Sequence, residues 1–250
     1  MSLLDTTDKV FWHGYVDFYE PFLASLDVRH VAEFGVFRGN SIRWLLDRFP
    51  DALIDGADIL PWQPEWPVDP RFRFTQLDQG DPHAVRRFLE RERFDLIIED
   101  GSHHPHHQVS CLLEGMRVLA PGGVYILEDA HTSHPSYPQG HLDPPPDARG
   151  NALTVLLALD HMRRIGLPVD HAAAAAIAEG SLLSPGEVAD LARTVAAVHL
   201  YRRTHLPDSC WACGGHDYDF SALRCRCGVE VFADGDSMSF VIVAGGAGDE

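Results

Sequence analysis

Five short apolar runs alternate with helix-like segments through the first half of the chain: HVAEFGV, ALIDGADI, RFRFTQL, FDLIIED and GVYILED. The segments between them include NSIRWLLDRF and HQVSCLLEGMRVL, whose apolar residues recur three and four positions apart, as in amphipathic helices. Such alternation is typical of βαβ units, in which helices cover both faces of a parallel sheet. The predicted fold class is therefore α/β, with a doubly wound, Rossmann-like, mostly parallel sheet.

The same pattern divides the chain into parts. Residues 1–29, which include VFWHGYVDFYEPFLASL, are predicted to form a helical cap over the mouth of the sheet. Residues 30–204 form the predicted core, in which the Pro-, His- and Gly-rich stretch 130–150 is interpreted as a lid loop. A cysteine-rich, zinc-ribbon-like insertion follows at 205–232, and 233–250 hold a closing strand and a tail.

The second half of the core is predicted to be largely helical. The helix candidates are NALTVLLALDHMRRIG, HAAAAAIAEG and PGEVADLARTVAAV, the last two resting more on propensity than on pattern. Two further apolar runs, VHLYRR and SMSFVIVAG, are predicted to close the sheet as strands.

Composition excludes several classes of protein. The chain has 250 residues, of which 45% are hydrophobic and 23% charged, as in ordinary globular domains. Its first residues lack a basic flank followed by an apolar core, and no apolar run approaches the roughly 18 residues of a membrane span. We therefore expect a cytoplasmic protein without membrane contact. The formal net charge of -17 repels phosphate backbones, so nucleic acid is not an expected partner.

A glycine-rich turn, EFGVFRGNS, follows the first predicted strand and opens a helix. Its spacing is ExGxxxG rather than the dinucleotide fingerprint GxGxxG, and its acid would repel a pyrophosphate but attract a cationic amino-acid cofactor. Taken alone, the turn is explained equally well by a purely structural role as by ligand binding. Asp58 at the end of the second strand is placed to hold ribose hydroxyls, and it favours ligand binding. LDQGD after the third strand offers Asp78, Gln79 and Asp81 to an adenine. The predicted cofactor-binding residues are Glu33, Gly35, Gly39, Ser41, Asp58, Asp78 and Gln79.

Acidic residues end the fourth and fifth predicted strands. Because these strands are neighbours in such a sheet, Asp100 and the pair Glu128 and Asp129 are expected to converge at one edge. Converging carboxylates need a cation, and hard oxygen ligands favour Mg²⁺, with Mn²⁺ or Ca²⁺ as alternatives. Taken singly, Asp100 could also be a turn residue at a strand end, and Glu128 and Asp129 could be an exposed acidic pair. His103, expected at the start of the next helix, is a fitting general base.

Residues 30–130 resemble the class I S-adenosylmethionine-dependent methyltransferases. DGSH, followed by PGGVYILED and AHTS, is similar to the metal-dependent sugar O-methyltransferases of natural-product (antibiotic) biosynthesis, especially those acting on macrolide deoxysugars. The resemblance implies S-adenosylmethionine and Mg²⁺ as cofactors, a sugar-containing or diol substrate, and a homo-oligomer. The roles that it implies are methionine contact by Glu33, Gly35 and Gly39, ribose contact by Asp58, magnesium binding by Asp100, Glu128 and Asp129, and proton removal by His103.

Several polar residues near the DGSH motif receive weaker interpretations. His104, His106 and His107 are interpreted as a solvated surface, with a transition-metal site as the lesser alternative. Three loop residues are candidates for the acceptor pocket: His131, His134 and Tyr137. The resembling family usually has an aromatic residue where this chain has His134, which bears on the identity of the acceptor.

Four cysteines are arranged as CxxC, eleven residues, then CxC: Cys210, Cys213, Cys225 and Cys227. Two close pairs of thiolates can bind Zn²⁺ tetrahedrally and fold a short ribbon that has little core of its own. A closed four-cysteine site would be structural, since no position remains for a substrate. The alternatives are reduced cysteines without metal, or His216 in place of one cysteine.

Two other functions compete with a sugar O-methyltransferase. A catechol-type methyltransferase is one, because adjacent aromatic hydroxyls also chelate Mg²⁺. A zinc-containing binding protein whose methyltransferase-like core is inactive is the other. The presence of both the acids and the histidine of the predicted site disfavours the second alternative.

Overall fold

The structure, a computed structural model, describes residues 7–137, 150–233 and 236–246. The strands in these ranges are β1 (His30–Phe34), β2 (Leu53–Asp58), β3 (Phe72–Gln76), β4 (Phe94–Glu99), β5 (Leu119–Leu127), β6 (Val195–Arg202), β7 (Tyr218–Asp219), β8 (Arg224–Cys225) and β9 (Met238–Ala244). The α-helices are α1 (Asp8–Phe11), α2 (Tyr15–Leu23), α3 (Asn40–Arg48), α4 (Pro82–Leu89), α5 (Pro105–Val118), α6 (Ala152–Arg164), α7 (His171–Ala178) and α8 (Pro185–Thr194). A 3₁₀-helix spans Ala130–Ser133.

Seven strands form one sheet in the order β3-β2-β1-β4-β5-β9-β6. The strands β1 to β5 are parallel, whereas β9 runs antiparallel between β5 and β6. The predicted mostly parallel α/β fold class is therefore confirmed. The strand order changes direction between β1 and β4, and such a switch opens a crevice at the carboxyl ends of the strands.

Apolar residues pack against both faces of the sheet. In β4, Leu96 and Ile98 belong to one buried cluster with α2 and α3, while Ile97 belongs to the other with α4 to α8. Adjacent residues of a strand point to opposite faces, so β4 is covered on both sides. This double covering explains why the parallel strands are continuous apolar runs in the sequence.

The N-terminal cap consists of two helices rather than one. Gly14 separates α1 from α2 with a φ of 70°, a left-handed conformation that glycine adopts without steric cost. A side chain there would also approach the hydroxyl of Tyr201 to 2.9 Å. The break turns α1 over the carboxyl ends of the strands, whereas α2 packs along one face of the sheet.

The helix predicted from PGEVADLARTVAAV is shorter than expected. It ends at Thr194, and β6 begins at Val195, which is registered with Ala244 of β9. The β-branched pair Thr194 and Val195 favours extended backbone, and pairing with β9 decides the boundary. Most of the predicted lid loop, 138–149, and the last tail residues, 247–250, lie outside the described residues.

The cysteine-rich insertion forms a small ribbon beside α1. Its strands β7 and β8 pair antiparallel, and its buried Cys210, Cys225 and Val231 pack against Trp12. The backbone N–H groups of Asp208 and Ser209 donate to the carbonyl of Phe11. The ribbon is therefore anchored on the same helix that covers the strand ends. In the described ranges, none of the helices has the length and apolarity to cross a membrane.

Candidate active site

A cavity of about 850 Å³ opens at the carboxyl ends of the parallel strands. Its wall is formed by the turns that follow β1 to β5, by α1, and by residues 211–212 of the ribbon. Open α/β sheets bind ligands at this edge, and the volume is in the range of small-molecule sites.

The first glycine of the turn after β1 serves a close backbone contact. Gly35 has a φ of +92°, and a Cβ at this position would lie 1.9 Å from the carbonyl oxygen of Asp100. Gly39 has a φ of +72°, and a Cβ there would lie 3.0 Å from side-chain atoms of Trp66 and Pro67. Gly35 therefore brings the predicted cofactor turn against the turn that carries the predicted metal ligand.

Asp58 lines the cavity and fixes the glycine-rich turn. Its Oδ2 accepts hydrogen bonds from the backbone N–H groups of Val36 and Phe37, each at 2.8 Å, and Oδ1 accepts from Leu60 at 2.9 Å. The predicted ribose ligand is thus also the brace of the turn. Ser41, on the first turn of α3, is buried and lines the same side of the cavity.

Gln79 and Asp78 both line the cavity, but their side chains differ in the hydrogen bonds that they make. The Gln79 amide donates to Glu99 at 2.8 Å, and its carbonyl accepts from the backbone of Ser102 at 2.7 Å. Because both ends of its side chain are engaged, Gln79 holds the DGSH turn in place. Asp78 accepts from the backbone of Gly80 at 2.8 Å through Oδ1.

Glu33 is fully buried and does not belong to the described wall of the cavity. Neither of its carboxylate oxygens meets a hydrogen-bond donor with good geometry in the described part of the chain, and Lys9 Nζ lies 3.9 Å from Oε1. Burial raises the pKa of Glu33 to about 7, against the opposing effects of Lys9 and Ser41. A buried carboxyl whose nearest cation is an ammonium 3.9 Å away is incompletely compensated, so this group is suited to a cationic ligand.

Asp100, His103 and Asp129 come together on the cavity floor. Their candidate ligand atoms lie within 4.8 Å of one another. His103 Nε2 is 3.6 Å from Asp129 Oδ2 and 4.0 Å from Asp100 Oδ1. Both His103 and Asp129 have positive φ values, 57° and 47°, which are uncommon for these residue types and often occur at functional sites. His103 precedes α5 by two residues rather than starting it.

Charge and hydrogen bonds set the protonation of this group. Burial alone would lower the pKa of His103, but Asp129 and Asp100 raise it above its ordinary value. Burial would raise the pKa of Asp129, yet the neighbouring imidazoles of His13, His103 and His131 and the hydroxyl of Tyr15 hold it well below the usual range. Tyr15 donates to Asp129 Oδ1 at 2.8 Å. Asp129 is therefore a firmly ionised carboxylate.

Lys9, a residue that the sequence analysis missed, lies among the acids. Its buried Nζ donates to Asp100 Oδ2 at 2.5 Å and to Glu128 Oε1 at 2.7 Å. Burial alone would lower the pKa of Lys9, but the surrounding carboxylates raise it well above its ordinary value. One sequence signal could have pointed to it, since Lys9 is the only lysine among the 20 lysines and arginines of the chain.

The other histidines of the motif pack against one another. The ring of His106 lies 4.2 Å from that of His107 and 5.6 Å from that of His104. His107 Nδ1 lies 2.7 Å from Ser102 Oγ, and burial lowers the pKa of His107 to about 4. Among the described residues, these three histidines do not form a metal-ligand group. The proposed pocket residues His131, His134 and Tyr137 do not belong to the described wall of the cavity.

The four cysteines form a second candidate metal group: Cys210, Cys213, Cys225 and Cys227. The Sγ atoms of Cys210 and Cys227 are 3.6 Å apart, and those of Cys213 and Cys225 are 3.5 Å apart. Tetrahedral Zn²⁺ with bonds of about 2.3 Å would separate its sulfurs by about 3.8 Å, close to these distances. His216 is outside the group because its Nδ1 donates to the carbonyl of Asp208.

Comparison with known proteins agrees with this geometry. Residues 32–130 match the family described as a methyltransferase domain. The chain is 31% identical over 153 residues to the 8-demethyl-8-alpha-L-rhamnosyl tetracenomycin-C 2'-O-methyltransferase of Streptomyces olivaceus, covering 57% of this chain and 40% of the relative. It is 33% identical over 135 residues to the mycinamicin VI 2''-O-methyltransferase of Micromonospora griseorubida, covering 53% and 33%.

The fold also matches a solved structure, the MycE methyltransferase from the mycinamycin biosynthetic pathway in complex with Mg and SAH. The match has a TM-score of 0.63 at 23% identity and covers 97% of this chain and 52% of MycE. The chain thus spans 40% or less of these two curated relatives and about half of the matched structure. The family resemblance predicted from the sequence is confirmed.

Proposed function

We propose that this chain, whose residues 32–130 belong to the methyltransferase domain family, is an S-adenosylmethionine-dependent O-methyltransferase acting on a sugar hydroxyl of a natural product. The observation that carries the proposal is the grouping of Asp100, His103 and Asp129 at the floor of a cavity whose other side is the glycine-rich turn. A base and two acids beside a nucleoside-sized pocket suit the methylation of an oxygen.

The residues present fit S-adenosylmethionine. The cofactor supplies an electrophilic methyl group on a sulfonium and carries a cationic amino group. The buried carboxyl of Glu33, two residues before the cavity-lining Gly35, is proposed to attract that cation, and Asp58, which lines the cavity, to accept from ribose hydroxyls. Asp78 lies on the adenine side, while Gln79 acts by holding the DGSH turn. Gly35 keeps the floor and the turn in contact.

The residues present also fit a hard divalent cation. Asp100 and Asp129 offer two carboxylates at neighbouring strand ends, and Mg²⁺ is commonly bound by one or two carboxylates with water and substrate oxygens. When bound, magnesium lowers the pKa of a coordinated hydroxyl and orients two adjacent oxygens of the acceptor. A vicinal diol is therefore the proposed acceptor group.

In the proposed reaction, His103 removes the proton of the acceptor hydroxyl. Bound S-adenosylmethionine would supply the methyl group: the oxygen would bond to the methyl carbon as the carbon–sulfur bond breaks, and the electron pair of that bond would stay on sulfur. Asp129, whose Oδ2 lies 3.6 Å from His103 Nε2, stabilises the resulting imidazolium through its charge. The names of the relatives, which act on rhamnosyl and mycinamicin substrates, favour a sugar over a catechol.

We also propose that the ribbon holds a structural zinc ion. All four thiols of Cys210, Cys213, Cys225 and Cys227 would be used, leaving no position for a substrate. The backbone of Val229 lowers the pKa of Cys227 to about 7, which favours the thiolate. The homo-oligomer, the absence of nucleic acid and membrane partners, the cytoplasmic location and the part boundaries stay predictions.

Calorimetry on protein that is free of Mg²⁺ but keeps its zinc tests the proposal. We expect saturable binding of S-adenosylmethionine, then binding of a vicinal-diol glycoside that requires added Mg²⁺, and zinc near one equivalent. D58A should weaken cofactor binding, whereas D47A, an exposed acid on α3, should not. If the wild-type chain binds no S-adenosylmethionine, the methyltransferase proposal is wrong. If it binds cofactor but turns over no diol with Mg²⁺, the binding-protein alternative is supported.

A further inference from the structure

Lys9 contacts acids that the family resemblance assigns to a metal ion. The expected magnesium ligands are the three acids at the ends of β4 and β5, yet two of them, Asp100 and Glu128, are bound by the same ammonium. The side chain of Lys9 is only 3% exposed, so the contact is part of the folded core rather than a surface ion pair.

The chemistry of the site suits lysine and not arginine. An ammonium is a compact point charge with three donors, whereas a guanidinium is a planar fork. Two Nζ donors reach carboxylates on neighbouring strands, and Glu33 approaches from a third direction at 3.9 Å. Every other basic residue that can pair with an acid in the chain is an arginine or a histidine, so the lysine is specific to this site.

The three acids point to different partners. Glu128 is buried and directs Oε1 to Lys9. Asp129 points the other way, with Oδ1 on the hydroxyl of Tyr15 and Oδ2 toward His103. Asp100 stands between them, with Oδ2 on Lys9 and Oδ1 4.0 Å from His103 Nε2. The candidate metal group of the described residues accordingly contains Asp100 and Asp129 with His103, without Glu128.

Resting on the proposed function, we propose that Lys9 and a divalent cation share the three carboxylates. Lys9 neutralises Glu128 and positions one oxygen of Asp100, and the cation binds between Asp100 and Asp129. Glu128 is therefore a partner of Lys9 and not a metal ligand. One ammonium and one divalent cation balance the three carboxylates.

Manganese binding to the full chain, followed by electron paramagnetic resonance without acceptor, tests this division. The isosteric variants E128Q and D129N are compared with the wild type, and circular dichroism verifies that each is folded. We expect D129N to weaken Mn²⁺ binding about tenfold or more, because it removes one of two carboxylate ligands, and E128Q to change it less than about threefold. Equal weakening by both variants would overturn the division.

The single lysine allows a second test that needs no substitution. Protein labelled only with ¹⁵N-lysine should give one ammonium signal, assigned by its loss in K9M, and held by its carboxylate partners. We expect Mg²⁺ to shift this signal while it stays protected from solvent exchange. Conversion to the signal of a free, exchanging lysine would mean that the metal displaces Lys9 and takes Glu128.

These outcomes are separate from the proposed function. If wild-type protein binds no divalent cation while still transferring methyl groups, the metal assignment fails together with the division. If it binds the cation and E128Q behaves as D129N does, only the division fails.

Discussion

His103 Nε2 lies 3.6 Å from Asp129 Oδ2, so the proposed base faces the acid that follows the neighbouring strand. The pair combines a histidine and an aspartate that both have positive φ values, each on a turn directly after a parallel strand. The backbone carbonyl of His103 also accepts a hydrogen bond from Thr132 at 2.9 Å, which ties the two turns together.

Replacement of this histidine should affect turnover and not cofactor affinity. We expect H103A to lower kcat by about 10²- to 10⁴-fold, the usual contribution of a general base, with the dissociation constant of S-adenosylmethionine nearly unchanged. H106A is the matched control, since His106 follows in the same sequence motif but is exposed and outside the cavity wall. A similar loss of cofactor affinity in H103A would contradict the separation of the two sites.

Glu33 should make the stability of the cofactor-free chain depend on pH. Its pKa is about 7 in the fold against an ordinary 4.5, so the folded state binds more protons between these values and stability falls as pH rises through this window. The loss is on the order of 3 kcal/mol. In urea denaturation between pH 5 and pH 8, E33Q should lack this decrease, and E65Q, at an exposed site, should retain it. Parallel curves for wild type and E33Q would refute the assignment.

The contact between Gly35 and Asp100 predicts a strong effect of a single methyl group. G35A should destabilise the chain by more than about 3 kcal/mol, because its Cβ would lie 1.9 Å from a backbone oxygen and its φ is +92°. G186A is the control, since the nearest atom to a Cβ in α8 is 3.9 Å away. That variant should be neutral or more stable by less than about 1 kcal/mol. Chemical denaturation of both variants measures the difference.

Trp211 of the ribbon should contribute to acceptor binding. It lines the cavity with 61% of its surface exposed, and an aromatic face can stack on the apolar face of a sugar ring. We expect W211A to raise the KM for the acceptor about three- to tenfold while cofactor affinity is unchanged. F220A removes another exposed aromatic residue of the same ribbon, which lies outside the cavity wall, and should have no effect. Equal KM changes in both variants would show that Trp211 acts only through ribbon stability.

The sheet and the position of the acids could be predicted because they depend on local pattern. Apolar runs mark the parallel strands, and parallel strands place their carboxyl ends at one edge, so Asp58, Asp100 and Asp129 meet there without further information. The two-part nature of the N-terminal cap was missed, since a helical spacing of apolar residues does not show that Gly14 adopts a left-handed φ.

The contacts of Lys9 could not be predicted in the same way. Its partners are 91 and 119 residues away along the chain, and no local spacing encodes them. The commitment of Gln79 to Glu99 and Ser102 was also beyond prediction, because it depends on the packing of β4 against the turn after β3. Side-chain partners across elements need the tertiary fold, whereas strand ends need only the topology.

The ribbon packs on Phe11 and Trp12, two and three residues after the lysine that holds Asp100 and Glu128. Oxidation of the four thiols, or a shortage of zinc during synthesis, is expected to loosen α1 and withdraw the ammonium from the acids. Without the ammonium, the carboxylates on the cavity floor would repel one another and move apart. The proposed methyl transfer would thereby depend on the proposed zinc site, although that site takes no part in the reaction.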